Sequence, residues 1–245
     1  MFEFLFKKKR SEKLFFHTDV HAHFLPGIDD GAKNPDSSQY LLESLMDLGV
    51  ENFVATPHIT HETFPNNYNT ISGAFNRLKD HLKDSSLNPN IHFSAEYRLD
   101  ELFEAHREAG ELIPFPKNYL LIENSFIQPF MGIRDTVFQL QLDGFKPILA
   151  HPERYPYYHS DKTFYDDMHA QGCLYQVNLL SFSGLYGPEV KQVAYQLLKK
   201  GYVDFIGTDT HHRHHIEALK KFMQTSDYRK LEKSAKNILN NTLFE

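Results

Sequence analysis

Short apolar segments alternate with amphipathic segments along nearly the whole chain. The apolar segments have the length and composition of β-strands, and the segments between them repeat apolar residues at helical spacing. The predicted strands are FFHTDV, ENFVAT, IHFSAEYRL, NYLLIEN, KPILAHP, CLYQVNLLS and YVDFIGTDT. Strands that alternate with helices in this way predict an α/β protein with a parallel sheet.

Asparagine, proline and glycine mark the ends of the predicted helices. Asn34 followed by Pro35 indicates a helix start, because an asparagine side chain caps free amide groups and proline fits the first turn. Glycine ends several helical segments, since it adopts the left-handed conformation of a helix C-terminus. These glycines are Gly49, Gly110, Gly144 and Gly201. We therefore expect the helices to end at these positions.

The number of strand–helix units narrows the fold class. Seven units predict a distorted, seven-stranded (β/α)7 barrel that resembles the TIM barrel. The alternative is an open, doubly wound sheet. No glycine-rich phosphate loop follows the first strand, so nucleotide-binding versions of that alternative lose support. We expect an N-terminal tail at residues 1–14 and one domain at residues 15–245.

Composition excludes several classes of protein. Hydrophobic residues make up 41% and charged residues 24% of the chain, which is typical of a soluble globular protein. A formal net charge of -6 gives no overall basic surface for nucleic acid. The single cysteine, Cys173, excludes an internal disulfide and favours a reducing cytoplasm. No apolar run is long enough to span a bilayer.

The N-terminal segment MFEFLFKKKR combines aromatic residues with a basic run. A secretory signal has its charges before a longer apolar stretch, so the segment does not fit that class. We expect a disordered tail. The alternative is a weak contact with a membrane surface or a partner, in which the aromatic residues insert and the basic residues meet anionic lipid.

Two histidines near the end of the first predicted strand suggest a metal site. His21 and His23 are separated by one residue, so their side chains point to the same face of an extended chain. Two imidazoles on one face can bind one metal ion. The simpler alternative is a polar loop with solvated histidines. The residues that follow the other strands decide between these interpretations.

Six of the seven predicted strands place a histidine or a carboxylate near their C-terminal ends, where barrel enzymes have their active sites. The candidate metal ligands are His21, His23, Asp30, His58, Glu96, Glu123, His151, Asp209 and His211. Nine nitrogen and oxygen ligands fit two or three ions. Because no thiolate belongs to the set, a catalytic site for manganese, iron or zinc is favoured over a structural zinc site. In the HHRHH segment we expect only His211 to be a ligand and the other histidines to lie on a solvated loop or helix start.

The order of these motifs resembles a known superfamily. The segments DVHAHFLPGIDDG, ATPH, AEYR, LIEN, AHPERY and GTDTH are similar to those of the polymerase-and-histidinol-phosphatase (PHP) superfamily. The DDG-x-K and HPER elements favour its branch of bacterial protein-tyrosine phosphatases of the CpsB/YwqE type. That resemblance implies a PHP-type distorted seven-stranded barrel with three divalent metal ions, manganese being the first expectation.

The resemblance also implies an activity and roles for residues. It implies hydrolysis of phosphotyrosine through a metal-activated hydroxide, typically on a bacterial tyrosine autokinase that controls capsule or exopolysaccharide synthesis. The nine candidate ligands match the family's ligand types. Arg154 matches the catalytic arginine that binds the phosphate. A second substrate-binding arginine is expected after the last Asp-x-His, where Arg213 lies at a shorter spacing.

Three other functions remain open from the sequence. A PHP-type small-molecule phosphoesterase, such as a histidinol phosphatase, would have similar metal ligands. A metal-binding scaffold without activity is disfavoured by the complete ligand set together with Arg154. An amidohydrolase-type barrel also begins with His-x-His, but Glu96 and Glu123 fit it less well. No cysteine-phosphatase loop surrounds Cys173, so that mechanism is not expected.

Overall fold

The computed structural model describes residues 12–161 and 163–245. The MFEFLFKKKR segment lies outside the described residues. Leu14 is buried, and its amide donates to the carbonyl of Leu48 at 2.7 Å. Among the described residues, no helix combines the length and the apolar character that a membrane span requires.

In the described residues, every pair of hydrogen-bonded strands is parallel, which confirms the predicted α/β class. The strands are β1 (Thr18–Ala22), β2 (Asn52–Ala55), β3 (His58–Ile59), β4 (Asn90–Phe93), β5 (Glu96–Arg98), β6 (Tyr119–Glu123), β7 (Lys146–Ala150), β8 (Leu174–Asn178) and β9 (Phe205–Gly207). One sheet has the order β1-β2-β4, and the other has the order β3-β5-β6-β7-β8-β9.

The strand count differs from the seven predicted. The third predicted strand is divided into β4 and β5, and the segment after the second forms β3, which the sequence analysis missed. Pro57 lies between β2 and β3 and has no amide hydrogen, so it interrupts the ladder. Hydrogen bonds still cross the break, since Glu96 N donates to the Pro57 carbonyl at 3.0 Å.

The first and last strands meet near their C-terminal ends. The amide of His23 donates to the Thr210 carbonyl at 3.0 Å, and the amide of Asp209 donates to the His21 carbonyl at 2.8 Å. These bonds join the end of β1 to the residues that follow β9. The first strand, β1, and the last strand, β9, are therefore neighbours at their C-terminal ends.

Four of the helices end within two residues of the glycines predicted to stop them. The helices are α1 (Pro35–Asp47), α2 (Tyr68–Leu82), α3 (Glu101–Ala109), α4 (Ile133–Leu142), α5 (Phe164–Ala170), α6 (Pro188–Lys200), α7 (Arg213–Met223) and α8 (Ser226–Ser234). Short 3-10 helices are Pro116–Asn118, Pro152–Arg154, Pro156–Tyr158, Leu179–Ser181 and Asn240–Thr242. The side chain of Asn34 caps α1, and Gly110 and Gly201 end α3 and α6 in the left-handed conformation, as predicted.

Two apolar clusters stabilise this arrangement. The larger one lies where the helices pack on the strands, and the smaller one contains alternate strand residues such as Leu121, Ile148 and Phe205. Side chains two positions apart share a face of a strand. Glu123 therefore projects on the same side of β6 as Leu121. The smaller cluster thus lies beside polar side chains such as Glu123, on the N-terminal side of the strand ends.

Candidate metal centre

The structure brings all nine candidate ligands together. They form four overlapping groups, and within each group one ligand atom of every residue lies within 4.8 Å of the others. The groups are His23, Asp30, His58 and His211; His21, His23 and Glu96; His21, His151 and Asp209; and His58, Glu96 and Glu123. Because the groups share members, the arrangement suits several ions held close together rather than one.

Glu96 is the centre of this arrangement. Its Oε2 lies 3.2 Å from His21 Nε2 and 3.4 Å from His23 Nε2. The same oxygen lies 3.0 Å from His58 Nδ1, and Oε1 lies 2.8 Å from His151 Nε2. The side chain is completely buried. One carboxylate that faces four imidazoles in this way can bridge two cations.

Backbone geometry aims two of the ligands. His151 and Asp209 have φ angles of 32° and 50°, in the left-handed region that residues other than glycine rarely adopt. A left-handed residue cannot continue a strand, so β7 and β9 end before these positions. Asp209 was expected inside a strand, and this conformation explains why β9 is shorter than predicted. Such strained residues cost about 1–3 kcal/mol and cluster at functional sites.

Charges in the cluster compensate one another. Burial alone would lower the pKa of His21, but the carboxylates of Glu96 and Asp209 outweigh it and raise the pKa to about 9. Burial would raise the pKa of Asp209, yet His21, His211 and Arg154 lower it below its usual value. The hydrogen bond from His211 likewise lowers the pKa of Asp30. These two carboxylates are therefore ionised, and the neighbouring imidazoles and Arg154 compensate their charge.

Several buried polar atoms in the cluster face other members of it but make no well-aligned hydrogen bond with any residue that the structure describes. They are His58 Nδ1, Glu96 Oε2, Glu123 Oε2 and His151 Nδ1. Leaving a buried polar atom unpaired costs about 1–3 kcal/mol. All four belong to predicted metal ligands, and each can donate a lone pair to a cation. The chemistry of these atoms therefore fits divalent metal ions.

A second layer of side chains orients the ligands. Asp29 Oδ2 lies 2.9 Å from His23 Nδ1, and Gln176 Oε1 lies 2.6 Å from His21 Nδ1. Asn178 Nδ2 donates to Asp209 Oδ2 at 2.6 Å. Such partners fix the ring orientation and raise the basicity of metal-binding histidines. The sequence analysis assigned no role to these residues, although Gln176 and Asn178 are polar residues two apart in an otherwise apolar strand.

Arg154 extends over one side of the cluster. Its Nη1 donates to Asp209 Oδ2 at 2.9 Å. The guanidinium carbon lies 4.8 Å from the ring centre of Phe126 and 4.3 Å from that of Tyr186. These residues line a cavity of about 230 Å³ together with the ligands Asp30, His58, His151, Asp209 and His211. We call this space the catalytic pocket.

Arg213 lies elsewhere. It is the first residue of α7, and its guanidinium carbon is 4.1 Å from the ring centre of Tyr40. It lines a neighbouring cavity of about 400 Å³, which shares only His211 and His212 with the catalytic pocket. The structure therefore does not bring Arg213 into the space that Arg154 lines.

His215 differs from the expectation for the HHRHH segment. It was expected to be solvated, but it is partly buried and lines the catalytic pocket. Its Nδ1 accepts a hydrogen bond from the His211 amide at 3.1 Å, so it supports the backbone of a candidate ligand. His215 lies at a helix start, as expected, but its position four residues after His211, in the first turn of α7, turns it inward.

Comparison with known proteins identifies similar chains. Putative tyrosine-protein phosphatase CapC of Staphylococcus aureus is 27% identical over 194 residues, which cover 79% of this chain and 76% of CapC. Tyrosine-protein phosphatase YwqE of Bacillus subtilis is 25% identical over 236 residues, with 92% and 93% covered. CpsB of Streptococcus pneumoniae is 25% identical over 213 residues, with 84% and 86% covered.

Solved structures share the fold. A chain from the crystal structures of YwqE and CpsB, described there as unique metal-dependent tyrosine phosphatases, superposes with a TM-score of 0.76 at 23% identity, covering 91% of this chain and 94% of that one. A phosphotriesterase homology protein from Escherichia coli gives a TM-score of 0.51 at 17% identity, with 90% and 92% covered. The family model for capsular polysaccharide synthesis, CpsB/CapC, matches residues 17–242. The chain therefore belongs to the CpsB/CapC family.

Proposed function

We propose that this protein is a metal-dependent protein-tyrosine phosphatase. The observation that carries the proposal is the nine-residue cluster of nitrogen and oxygen ligands with Arg154 beside it in one pocket. The names of the relatives support the same activity. The proposed substrate is a phosphotyrosine protein, in particular a bacterial tyrosine kinase that controls capsule or exopolysaccharide synthesis. A reducing cytoplasm suits the buried, unpaired Cys173.

We propose that the cluster holds three divalent ions. Imidazole and carboxylate ligands without thiolate suit manganese, iron or zinc. The resemblance to the PHP superfamily makes manganese the first of these. The shared ligands and the unpaired buried atoms of the cluster support several ions over one. Bound ions would withdraw charge from the phosphoryl oxygens and lower the pKa of nearby water, which hydrolysis of a stable ester requires.

The residues of the catalytic pocket would bind and orient the ester. The planar guanidinium of Arg154 can donate two parallel hydrogen bonds to phosphoryl oxygens. Asp209 and the rings of Phe126 and Tyr186 hold that guanidinium in place. Burial raises the pKa of Tyr186, so its hydroxyl stays neutral and does not repel an anionic ester. The two rings also offer an apolar wall to a phenyl ester.

The catalytic domain proposed here spans residues 15–245. We propose that its two sheets form one distorted barrel. In this barrel β2 and β3 count as one interrupted strand, and so do β4 and β5, so the nine strands correspond to the seven predicted. The hydrogen bonds across the break at Pro57 and those between the ends of β1 and β9 support this interpretation. Such a barrel would place every candidate ligand at one rim.

The test is a substrate panel with manganese-loaded protein. Phosphotyrosine peptide, phosphoserine peptide and histidinol phosphate are compared by kcat/KM, and bound metal is measured by elemental analysis. We expect two to three ions per chain and a clear preference for phosphotyrosine. Preference for histidinol phosphate would support a small-molecule phosphoesterase instead. Protein without metal and without hydrolysis of any ester would contradict both.

A further inference from the structure

We propose that the cavity next to the catalytic pocket binds an anionic side chain of the substrate close in sequence to the phosphotyrosine. This inference rests on the proposed function. The cavity has a volume of about 400 Å³, and its lining includes Lys33, Ser37, Tyr40, His211, His212 and Arg213. We call it the flanking pocket. Besides recognising the phosphoryl group, the enzyme would then prefer substrates that carry an acidic residue near the phosphotyrosine.

The two pockets are adjacent. His211 and His212 line both of them, and His211 is also a candidate metal ligand. An extended peptide advances about 3.3–3.6 Å per residue. A residue one to three positions from the phosphotyrosine can therefore place its side chain in the flanking pocket while the phosphoryl group lies in the catalytic pocket.

The charge of the flanking pocket favours an anion. Lys33 and Arg213 are exposed, and neither makes an ion pair with any residue that the structure describes. The Tyr40 ring supports the Arg213 guanidinium at 4.1 Å, which orients it without neutralising it. Asp36 also lines the pocket as a single exposed carboxylate, 3.5 Å from His81 Nε2, and the pocket has two cations against it. The two unpaired cations therefore determine the preference.

The N-terminus of α1 is not the source of this preference. The side chain of Asn34 already accepts a hydrogen bond from the Ser37 amide. In return, the Asn34 amide donates to the Ser37 hydroxyl at 3.0 Å. These reciprocal bonds satisfy amides that an anion would otherwise contact. The lysine and the arginine remain as the groups that can recognise negative charge.

A third cavity has the opposite character. It is about 810 Å³ in volume, and it lies beyond the ends of β3, β5 and β6, on loops other than those that form the flanking pocket. Its lining includes the carboxylates Glu62, Asp100, Glu101 and Glu104. The cation Arg98 in this cavity is bound to Glu123 at 3.1 Å. An acidic side chain would be repelled here, so the asymmetry directs it to the flanking pocket.

The experiment compares matched phosphotyrosine peptides with full-length, manganese-loaded protein. All three peptides contain phosphotyrosine and differ only at the two positions on each side of it. The first has glutamate at these positions, the second has glutamine, and the third has phosphoserine. We expect kcat/KM for the glutamate peptide to exceed that for the glutamine peptide by about 3- to 10-fold, the range for two exposed ion pairs. High salt should remove the difference, because it screens exposed charges.

Variants locate the effect. The double variant Lys33→Gln and Arg213→Gln should lower the glutamate-to-glutamine ratio to about 1, and Arg213→Lys should retain most of it. Lys221→Gln, at the other end of α7, is the matched control and should keep the ratio of the parent. Hydrolysis of the glutamine peptide by each variant reports that it is folded. If the phosphoserine peptide exceeds the glutamine peptide in kcat/KM by more than the glutamate peptide does, the flanking pocket prefers phosphate. If the two increases are equal, the pocket accepts either anion.

Two results would overturn the inference. The first is a glutamate-to-glutamine ratio of about 1 in the parent, and the second is a raised ratio that survives in the double variant. Either result leaves the phosphatase activity itself in place, because the glutamine peptide is still hydrolysed. Failure to hydrolyse any phosphotyrosine peptide would instead refute the proposed function, and the inference with it.

Discussion

Gly207 on β9 packs against His21 on β1 so closely that no side chain fits between them. A Cβ at Gly207 would lie 2.6 Å from His21 Cβ and 2.7 Å from Gln176 Nε2. Real Cβ atoms do not approach other atoms that closely, and both neighbours are fully buried. The position of a candidate metal ligand therefore depends on the absence of one methyl group.

Replacement of that glycine should damage the metal centre. We expect Gly207→Ala to destabilise the fold by about 1–3 kcal/mol through overpacking and to displace His21 and Gln176. Chemical denaturation and metal content measure the two effects. Gly73→Ala is the control, because Gly73 lies within α2 and a Cβ there would meet only Arg77 Nη1, at 3.8 Å. It should be neutral or stabilising, and equal effects of the two substitutions would contradict the argument.

Removal of a central carboxylate should release metal. Glu96→Gln and Glu123→Gln keep the size of the side chain but remove charge from buried groups of the cluster. Metal content and turnover should fall together in both variants. Glu217→Gln, on the exposed face of α7, should change neither. Full metal content in both site variants would show that these carboxylates are not ligands.

The supporting carboxylate of Asp29 should matter for affinity more than for folding. Its bond to His23 Nδ1 fixes the imidazole, and loss of such a partner typically weakens metal binding by about 10- to 100-fold. We expect Asp29→Asn to show this loss in a competition titration with a chelator. Asp80→Asn, an exposed position that pairs with Lys83, serves as the control. An unchanged affinity would limit Asp29 to a structural role.

Arg154 should be needed for turnover but not for metal binding. Arg154→Ala should keep its metal and lower kcat/KM by roughly 10- to 1000-fold, the range for losing one charge-assisted contact in the transition state. Arg154→Lys should recover only part of the lost kcat/KM, because an ammonium group cannot donate two parallel hydrogen bonds as a guanidinium does. Inorganic phosphate should inhibit the alanine variant less than the parent. Steady-state kinetics within about twofold of the parent, a difference of about 0.4 kcal/mol, would reject this role.

Cys173 should be inert in the folded protein. Burial raises the pKa of its thiol to about 12, so at pH 8 the group is protonated and lacks the thiolate that reacts with alkylating agents. Iodoacetamide should leave native protein unlabelled and fully active, as mass spectrometry and the phosphatase assay can show. The same thiol should react once the protein is unfolded in denaturant. Stoichiometric inactivation of the native protein would indicate a nucleophilic cysteine instead.

The sequence by itself determined the elements and the candidate chemistry. Apolar periodicity and capping residues such as Asn34 and Gly110 are local signals, so the order of helices and strands and several helix ends were predicted close to what the structure shows. The pair His21 and His23 was recognisable for the same reason, since a spacing of two places side chains on one face. The roles of the nine candidate ligands stay a prediction, although the structure brings them together.

Only the tertiary structure decided which distant residues meet. The contact between Gly207 and His21, the partnership of Gln176 with His21 and the separation of Arg213 from Arg154 join segments far apart in the chain. Such contacts depend on strand register and on left-handed turns such as the one at Asp209, which no local pattern of hydrophobic residues encodes. The sequence therefore supplies the ligand types, and the packing of β1 against β9 sets their geometry.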